Sequence, residues 1–195
     1  MSKSSLVAAG AAVVLALAVI LGYAYFTGSE ATRVKVGHTA PDLYLPMVHA
    51  NLRVKLSNFR GRPVLLAMFL SECEICQREV RQIEALHRRY VGKGLMVIGV
   101  SVDPRREAAT VFASRHQLSF PVLLDVDGVS VREAYGSWKF PEAYLIDATG
   151  RVAAVYLGSV LWGAREVQQR IESVLPPPTP PSRGQPGAPA GPPGS

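Results

Sequence analysis

The sequence predicts an α/β domain in which helices cover both faces of a mixed sheet, giving three layers. Short apolar runs of strand length alternate with stretches whose apolar residues recur every three or four positions, a pattern typical of parallel strands joined by helical crossovers. Two further runs, 143–147 and 152–157, flank a Thr149-Gly150 turn and predict an antiparallel hairpin. The domain covers residues 36–175 of the 195-residue chain, an ordinary length for one domain.

The first half of the domain leads from extended chain to a central strand. Residues 33–46 are predicted to be an extended entry segment, residues 52–56 alternate as an edge strand does, and a glycine turn follows. The nearly continuous apolar run 64–70 predicts a buried strand. A helix to about Tyr90 is expected next, because apolar residues recur there at helical spacing: Cys76, Val80, Ile83 and Leu86.

The second half continues the alternation of strand and helix. Residues 95–102 form a second run of buried-strand type, and Pro104 is predicted to open a helix, since proline is tolerated in the first helical turn. Residues 120–124 read as a strand and residues 131–135 as a short helix. The hairpin and a closing helix over 165–175 complete the domain.

The N-terminal 30 residues differ in composition from the domain. Residues 6–26 are 21 uncharged and mostly apolar residues, and a helix of that length spans roughly 30 Å, the thickness of a bilayer's hydrocarbon core. A cleaved signal peptide has a shorter apolar core and a small-residue cleavage site, for which Gly22-Tyr23-Ala24 is a poor match. The sequence therefore favours residues 1–30 as an uncleaved signal anchor with one transmembrane helix.

The C-terminal segment differs from the domain in its high content of proline and glycine. Residues 176–195 contain nine prolines and four glycines, which predicts a disordered tail, partly in polyproline II.

The net charge is +6, and basic residues are interleaved with glutamate along the chain. Because no aromatic stacking motif accompanies them, the basic residues indicate a solvated surface and argue against nucleic-acid binding.

The only two cysteines, Cys73 and Cys76, stand at Cys-x-x-Cys spacing where the central strand gives way to a helix. A helix N-terminus favours negative charge, and the thiolate is the reactive form of cysteine. As a structural disulfide the pair would contribute little, about 2 kcal/mol for so short a loop. Structural zinc needs four ligands, and the four histidines show no metal-site spacing. The pattern favours a redox-active disulfide that needs neither a metal nor another cofactor.

The residues around the cysteines resemble a known family. Residues 56–66, the Cys-x-x-Cys pair and Glu79 resemble membrane-anchored thioredoxin-like proteins of the TlpA/ResA/DsbE group, whose domain is shared with the AhpC/TSA families. Later segments extend the resemblance over nearly all of the domain: 120–125, 141–147, and Gly158 with Trp162. The resemblance implies a thioredoxin-like α/β/α fold and a single-pass protein of the cell membrane, with its catalytic domain on the extracytoplasmic, periplasmic side.

The resemblance also implies roles for individual residues. Cys73 would be the exposed attacking sulfur and Cys76 the buried resolving one. Pro141 would be cis, where an ordinary strand-entry proline is the alternative, and Phe140 before it would offer backbone hydrogen bonds to an extended substrate. Glu79, one turn after Cys76, matches a glutamate thought to move protons in related reductases; the alternative is a solvated helix carboxylate.

Three positions beside the predicted site depart from the family pattern. Glu72 replaces the usual tryptophan, Ile75 the usual proline, and Glu142 the threonine that usually follows the cis-proline. The negative charges of Glu72 and Glu74 disfavour a thiolate on the neighbouring Cys73. A less stable thiolate means a less stable reduced form, so the sequence predicts a reductant rather than a strong oxidant.

Three functions remain open on the sequence alone. The first is a thiol–disulfide oxidoreductase that reduces protein disulfides, apocytochrome c among them, and is re-reduced by a membrane thiol electron donor. The second is a thiol peroxidase of the peroxiredoxin type, although Cys73 lacks the nearby upstream proline of that signature. The third is a copper-binding thioredoxin-like chaperone, for which Cys-x-x-x-Cys with a distal histidine is the expected pattern, and the spacing here differs.

Overall fold

Seven strands and four helices follow one another in the domain. The computed structural model describes residues 13–22 and 33–177. Within 33–177 the strands are β1 Tyr44–Pro46, β2 Arg53–Lys55, β3 Val64–Phe69, β4 Met96–Ser101, β5 Val122–Leu124, β6 Glu142–Ile146 and β7 Val152–Leu157. The helices are α1 Glu74–Tyr90, α2 Arg106–Arg115, α3 Val129–Tyr135 and α4 Arg165–Glu172.

Five strands form the central sheet, in the order β5-β4-β3-β6-β7. The middle strand β3 pairs in parallel with β4 and antiparallel with β6, while β5 and β7 lie at the edges. All six residues of β3 are buried, as its continuous apolar run requires. The predicted mixed sheet is thus confirmed. The strand predicted over 52–56 exists as β2, but it pairs with β1 in a separate ribbon.

Helices pack on both faces of the sheet. Side chains alternate along β3, so that Leu65 and Ala67 join the core beneath α1, α2 and α4, whereas Leu66 joins the core beneath α3 and the entry segment. The three-layer α/β/α prediction is therefore confirmed. One boundary was wrong: α2 begins at Arg106, because the chain is still extended at Arg105 and Pro104 lies before the helix.

The entry segment joins the domain at the end of the sheet where β6 begins. The Val34 amide donates a hydrogen bond to the Tyr135 carbonyl oxygen at 3.3 Å. The Arg33 guanidinium lies 3.5 Å from the carboxylate of Glu142, the first residue of β6. This contact places the start of the described domain beside Pro141, the residue that precedes Glu142.

The predicted anchor and tail fall largely outside the described residues. Of the apolar run, only residues 13–22 are described; they are helical and exposed. Across 13–22 and 33–177, the structure contains no helix that is both long and apolar enough to span a bilayer. Of the disordered tail predicted over 176–195, residues 178–195 are likewise outside the described part of the chain.

Candidate redox site

Cys73 lies at the N-terminus of α1, directly after the turn that leaves the central strand. β3 ends at Phe69, and the Cys73 amide donates to the Leu70 carbonyl oxygen at 3.2 Å. Cys73 is the N-cap residue of α1, and its Sγ accepts a hydrogen bond from the Cys76 amide at 3.1 Å. This is the position at which the helix dipole and a free amide stabilise a thiolate.

The two cysteines form a disulfide and differ in accessibility. Cys76 is 0% exposed and belongs to the core beneath α1, whereas Cys73 is half-buried. A partner sulfur can therefore reach Cys73 but not Cys76. This asymmetry fits the predicted roles, attack by Cys73 and resolution by Cys76.

The segment before β6 faces the disulfide. The Phe140–Pro141 peptide bond is cis, which confirms the prediction for Pro141. The Phe140 carbonyl oxygen lies 3.8 Å from Cys73 Sγ. The structure thus brings Phe140 and Pro141 beside Cys73, as expected if they bind substrate.

Glu79 is buried rather than solvated. It is 3% exposed, and its carboxylate accepts hydrogen bonds from the Val160 amide and, at 2.8 Å, from the Trp162 indole nitrogen. The alternative interpretation as a solvated helix carboxylate is therefore wrong. Glu79 and Cys76 line the same cavity of about 10 Å³, room for about one water molecule.

The acidic residues beside the cysteines have very different environments. Glu72 and Glu74 are exposed at the rim of the site, where water and salt screen their charges. Glu142 is 2% exposed, accepts a hydrogen bond from the Tyr144 hydroxyl at 2.9 Å and pairs with Arg33. Burial, with the nearby Glu142 carboxylate, raises the pKa of Tyr144 above its usual value. Of the carboxylates near the cysteines, the buried Glu79 is therefore better placed to act on Cys76 than the exposed Glu72 and Glu74, whereas the Glu142 side chain contacts Tyr144 and Arg33.

Asp103 is a further buried carboxylate beside the site, and it was not predicted from the sequence. Asp103 is 1% exposed and accepts hydrogen bonds from Ser71, which lies in the turn before Cys73. A signal for it exists in the sequence, because Asp103 follows the run that forms β4. The carboxyl ends of parallel neighbours such as β3 and β4 meet at the same edge of a sheet.

Comparison with known proteins places this site in a family. A model of the AhpC/TSA family matches residues 36–155. Thiol-disulfide oxidoreductase ResA of Geobacillus kaustophilus is 30% identical over 178 residues, which cover 90% of this chain and 100% of the relative. ResA of Bacillus subtilis is 29% identical over 152 residues, covering 76% of this chain and 83% of the relative.

A solved structure supports the same assignment. The crystal structure described as thiol:disulfide interchange protein DsbE from Chlorobium tepidum is 28% identical, with a TM-score of 0.67. The match covers 72% of this chain and 98% of that protein. Because fold, cysteine pair and relatives agree, the chain belongs to the AhpC/TSA family and is a thioredoxin-like thiol–disulfide oxidoreductase of the ResA/DsbE type.

Proposed function

We propose that this oxidoreductase works as a disulfide reductase, tethered to a cell membrane by its N-terminal segment with the catalytic domain on the extracytoplasmic side. The observation that carries the reducing direction is the acidic environment of the cysteines. Glu79 is buried and lines the same small cavity as Cys76, and Glu72 and Glu74 lie beside Cys73 at the rim of the site. Buried negative charge disfavours a thiolate, destabilises the reduced pair and lowers its reduction potential.

The reaction begins with the pair in its reduced, dithiol form. The Cys73 thiolate attacks one sulfur of a substrate disulfide, forms a mixed disulfide and releases the other substrate sulfur as a thiolate. Cys76, as a thiolate, then attacks Cys73 Sγ and releases the second substrate sulfur. The substrate has gained two electrons, and the enzyme ends as the Cys73–Cys76 disulfide.

The second step needs an acceptor for the Cys76 proton. Glu79 shares the cavity that Cys76 lines, and that cavity has room for about one water molecule. The proton passes to the Glu79 carboxylate through such a water. The Trp162 and Val160 donors hold the carboxylate in place for this transfer.

Membrane tethering is supported by the first 30 residues. The run 6–26 is long enough to span a bilayer. The large apolar side chains of 13–22, such as Val14 and Leu21 at 68% exposure each, are not packed against the domain. The proposed electron donor is a membrane dithiol protein. The proposed substrate class is apocytochrome c, whose cysteines must be reduced for haem attachment; the resemblance to the ResA and DsbE group suggests it.

Trapping tests the proposed chemistry. In the full-length chain, Cys76→Ser leaves Cys73 free to attack but removes the resolving sulfur, so we expect mixed disulfides with substrate proteins to accumulate. Cys73→Ser is the matched control and captures nothing. Capture through Cys76 instead, or peroxide consumption in place of disulfide reduction, would reject the mechanism.

The reduction potential of the Cys73–Cys76 pair tests the direction. We expect a value well below that of DsbA, about −120 mV, and a value near it would contradict the reducing direction.

Fractionation tests the tether separately from the chemistry. The full-length chain should resist extraction from membranes by alkaline carbonate, and a variant that lacks residues 1–30 should be released. Protease added to intact spheroplasts should digest the domain if it lies outside the cytoplasmic membrane. A domain that is protected until the membrane is broken would contradict the proposed location.

A further inference from the structure

The turn that carries Cys73 is held from two sides. The Asp103 carboxylate accepts hydrogen bonds from the Ser71 amide at 3.1 Å and from the Ser71 hydroxyl at 2.6 Å through the same oxygen, Oδ1. The Gln77 side-chain amide donates to the Ser71 carbonyl oxygen at 3.1 Å. Ser71 is thereby fixed at its amide, its hydroxyl and its carbonyl, two residues before the attacking sulfur.

Asp103 is an unusual group to find in this place. It is 1% exposed, and no salt bridge to it occurs among residues 33–177. Its second oxygen, Oδ2, accepts a hydrogen bond from the Ser101 hydroxyl at 2.5 Å. Burial of a carboxylate is costly, and three neutral donors offset that cost. A hydrophobic residue at the end of β4 would avoid the cost but could not bind Ser71.

We propose that Asp103 is a positioning residue for disulfide exchange. Through Ser71 it fixes the turn so that Cys73 Sγ stays at the Cys76 amide and opposite the Phe140 carbonyl oxygen. The disulfide supplies this restraint in the oxidised protein. In the reduced protein the disulfide is absent, and the Asp103–Ser71 contact maintains the same geometry for attack.

Removal of the Asp103 carboxylate has two opposite effects on the rate at which Cys73 reacts, one through its charge and one through its hydrogen bonds. Loss of a nearby negative charge would favour the Cys73 thiolate and speed its reactions. Loss of the hydrogen bonds would let the sulfur leave the helix N-terminus and slow them, and a displacement of about 1 Å can cost on the order of 10²-fold in rate. Because two hydrogen bonds join Asp103 directly to the turn, we expect the geometric effect to dominate.

The test uses the full-length chain in detergent, in a Cys76→Ser background that leaves Cys73 as the only thiol. The rate of Cys73 alkylation by iodoacetamide is measured against pH, with and without Asp103→Asn. Ser71→Ala removes one hydrogen bond to the turn but keeps the charge. The other carboxylates around the cysteines are the same in every variant: Glu72, Glu74, Glu79 and Glu142.

Asp125→Asn is the matched control. Asp125 is also a buried carboxylate, 3% exposed, which follows β5 and accepts hydrogen bonds from the Ser130 and Val131 amides. Its loss removes a similar charge and similar hydrogen bonds without touching the redox turn. Urea unfolding of all variants separates a change in reactivity from a change in stability.

We expect Asp103→Asn to slow alkylation at neutral pH about tenfold or more, Ser71→Ala to slow it less, and Asp125→Asn to leave it unchanged. Faster alkylation in Asp103→Asn, an unchanged rate, or equal effects of Asp103→Asn and Asp125→Asn would overturn the proposal. If Asp103→Asn does not fold, an unchanged rate in Ser71→Ala overturns it. The proposal rests on Cys73 as the attacking sulfur, so an inert Cys73 in the parent background would reject the proposed function instead.

Discussion

The Glu79 carboxylate accepts a hydrogen bond from the indole nitrogen of Trp162 at 2.8 Å, although 83 residues separate the two in the sequence. Glu79 lies on α1 with the cysteines, whereas Trp162 lies between β7 and α4. The segment after β7 therefore determines where the proposed proton acceptor sits. Activity should depend on residues of this segment that never touch a cysteine.

Glu79→Gln should slow resolution of the mixed disulfide more than its formation. Glutamine is similar in shape but cannot take the Cys76 proton, and proton transfer of this kind typically contributes on the order of 10²-fold or more. Stopped-flow measurement of the two steps with a model disulfide checks this. Glu107→Gln, at an exposed carboxylate on α2, is the control and should leave both rates unchanged. Equal slowing of both steps would assign Glu79 a purely structural role.

Trp162→Phe should destabilise the domain and lower activity together. The change removes the indole donor and leaves one Glu79 carboxylate oxygen without its partner, at a cost of about 1–3 kcal/mol. Most of the aromatic contact with Tyr156, whose ring centroid lies 5.1 Å away, would be kept. Urea unfolding measures the effect, with Trp138→Phe, at an exposed tryptophan, as the control. Equal midpoints for the two variants would contradict the prediction.

Arg33→Gln should destabilise the domain by about 1–2 kcal/mol, less than a fully buried pair because the Arg33 side chain is 33% exposed. It leaves the Glu142 charge buried without its cation. Adding Glu142→Gln removes that charge, so the double variant should recover much of the loss. A double-mutant cycle of unfolding free energies checks the coupling, and strictly additive effects would show that the pair contributes nothing.

Acidification from pH 7 to pH 5 should lower the free energy of unfolding. Burial holds the pKa of His87 and of His116 below the usual histidine value; Arg81 adds to this effect at His116, whereas Glu84 partly opposes it at His87. As the pH falls, the unfolded chain therefore binds protons before the folded domain does. This stability is fully present above a pH of about 6.5 and is lost as the pH falls toward the folded-state pKa values.

Histidine variants test the source of that pH dependence. His87→Gln and His116→Gln should each flatten the curve of unfolding free energy against pH between 7 and 5. His49→Gln changes an exposed histidine and serves as the control. A curve that keeps its slope in both the His87→Gln and the His116→Gln variants would assign the acid sensitivity to other groups.

Much of the fold could be predicted because its signals are local. The central strand reads as one apolar run, and α1 repeats its apolar residues at helical spacing, so both were found within two residues of their observed bounds. The start of α2 was misplaced because proline marks the first turn of many helices. Here it precedes an extended Arg105, which occupies the N-cap position of α2.

The site was less predictable because its polar contacts join distant parts of the chain. Cys73 and Cys76 could be identified from their Cys-x-x-Cys spacing. The burial of Glu79 depends on Trp162, and the restraint on Ser71 depends on Asp103, 32 residues away. Periodicity describes which face of an element is buried, but it does not say which donor a buried carboxylate will meet. The donors that contact a buried carboxylate can be predicted only once the order of the strands is known.

Because the chain enters the domain beside Glu142, the length of the linker limits how far the apolar run 6–26 can lie from the redox site. Residues 27–32 are all that separate Arg33 from the apolar run 6–26, and six residues, even fully extended, reach only about 20 Å. Arg33 sits at the end of the sheet that carries Pro141 and faces Cys73. Any surface that holds the apolar run must therefore lie within about 20 Å of that end. With the run 6–26 held in a membrane, as proposed, Cys73 would meet its substrates close to that membrane.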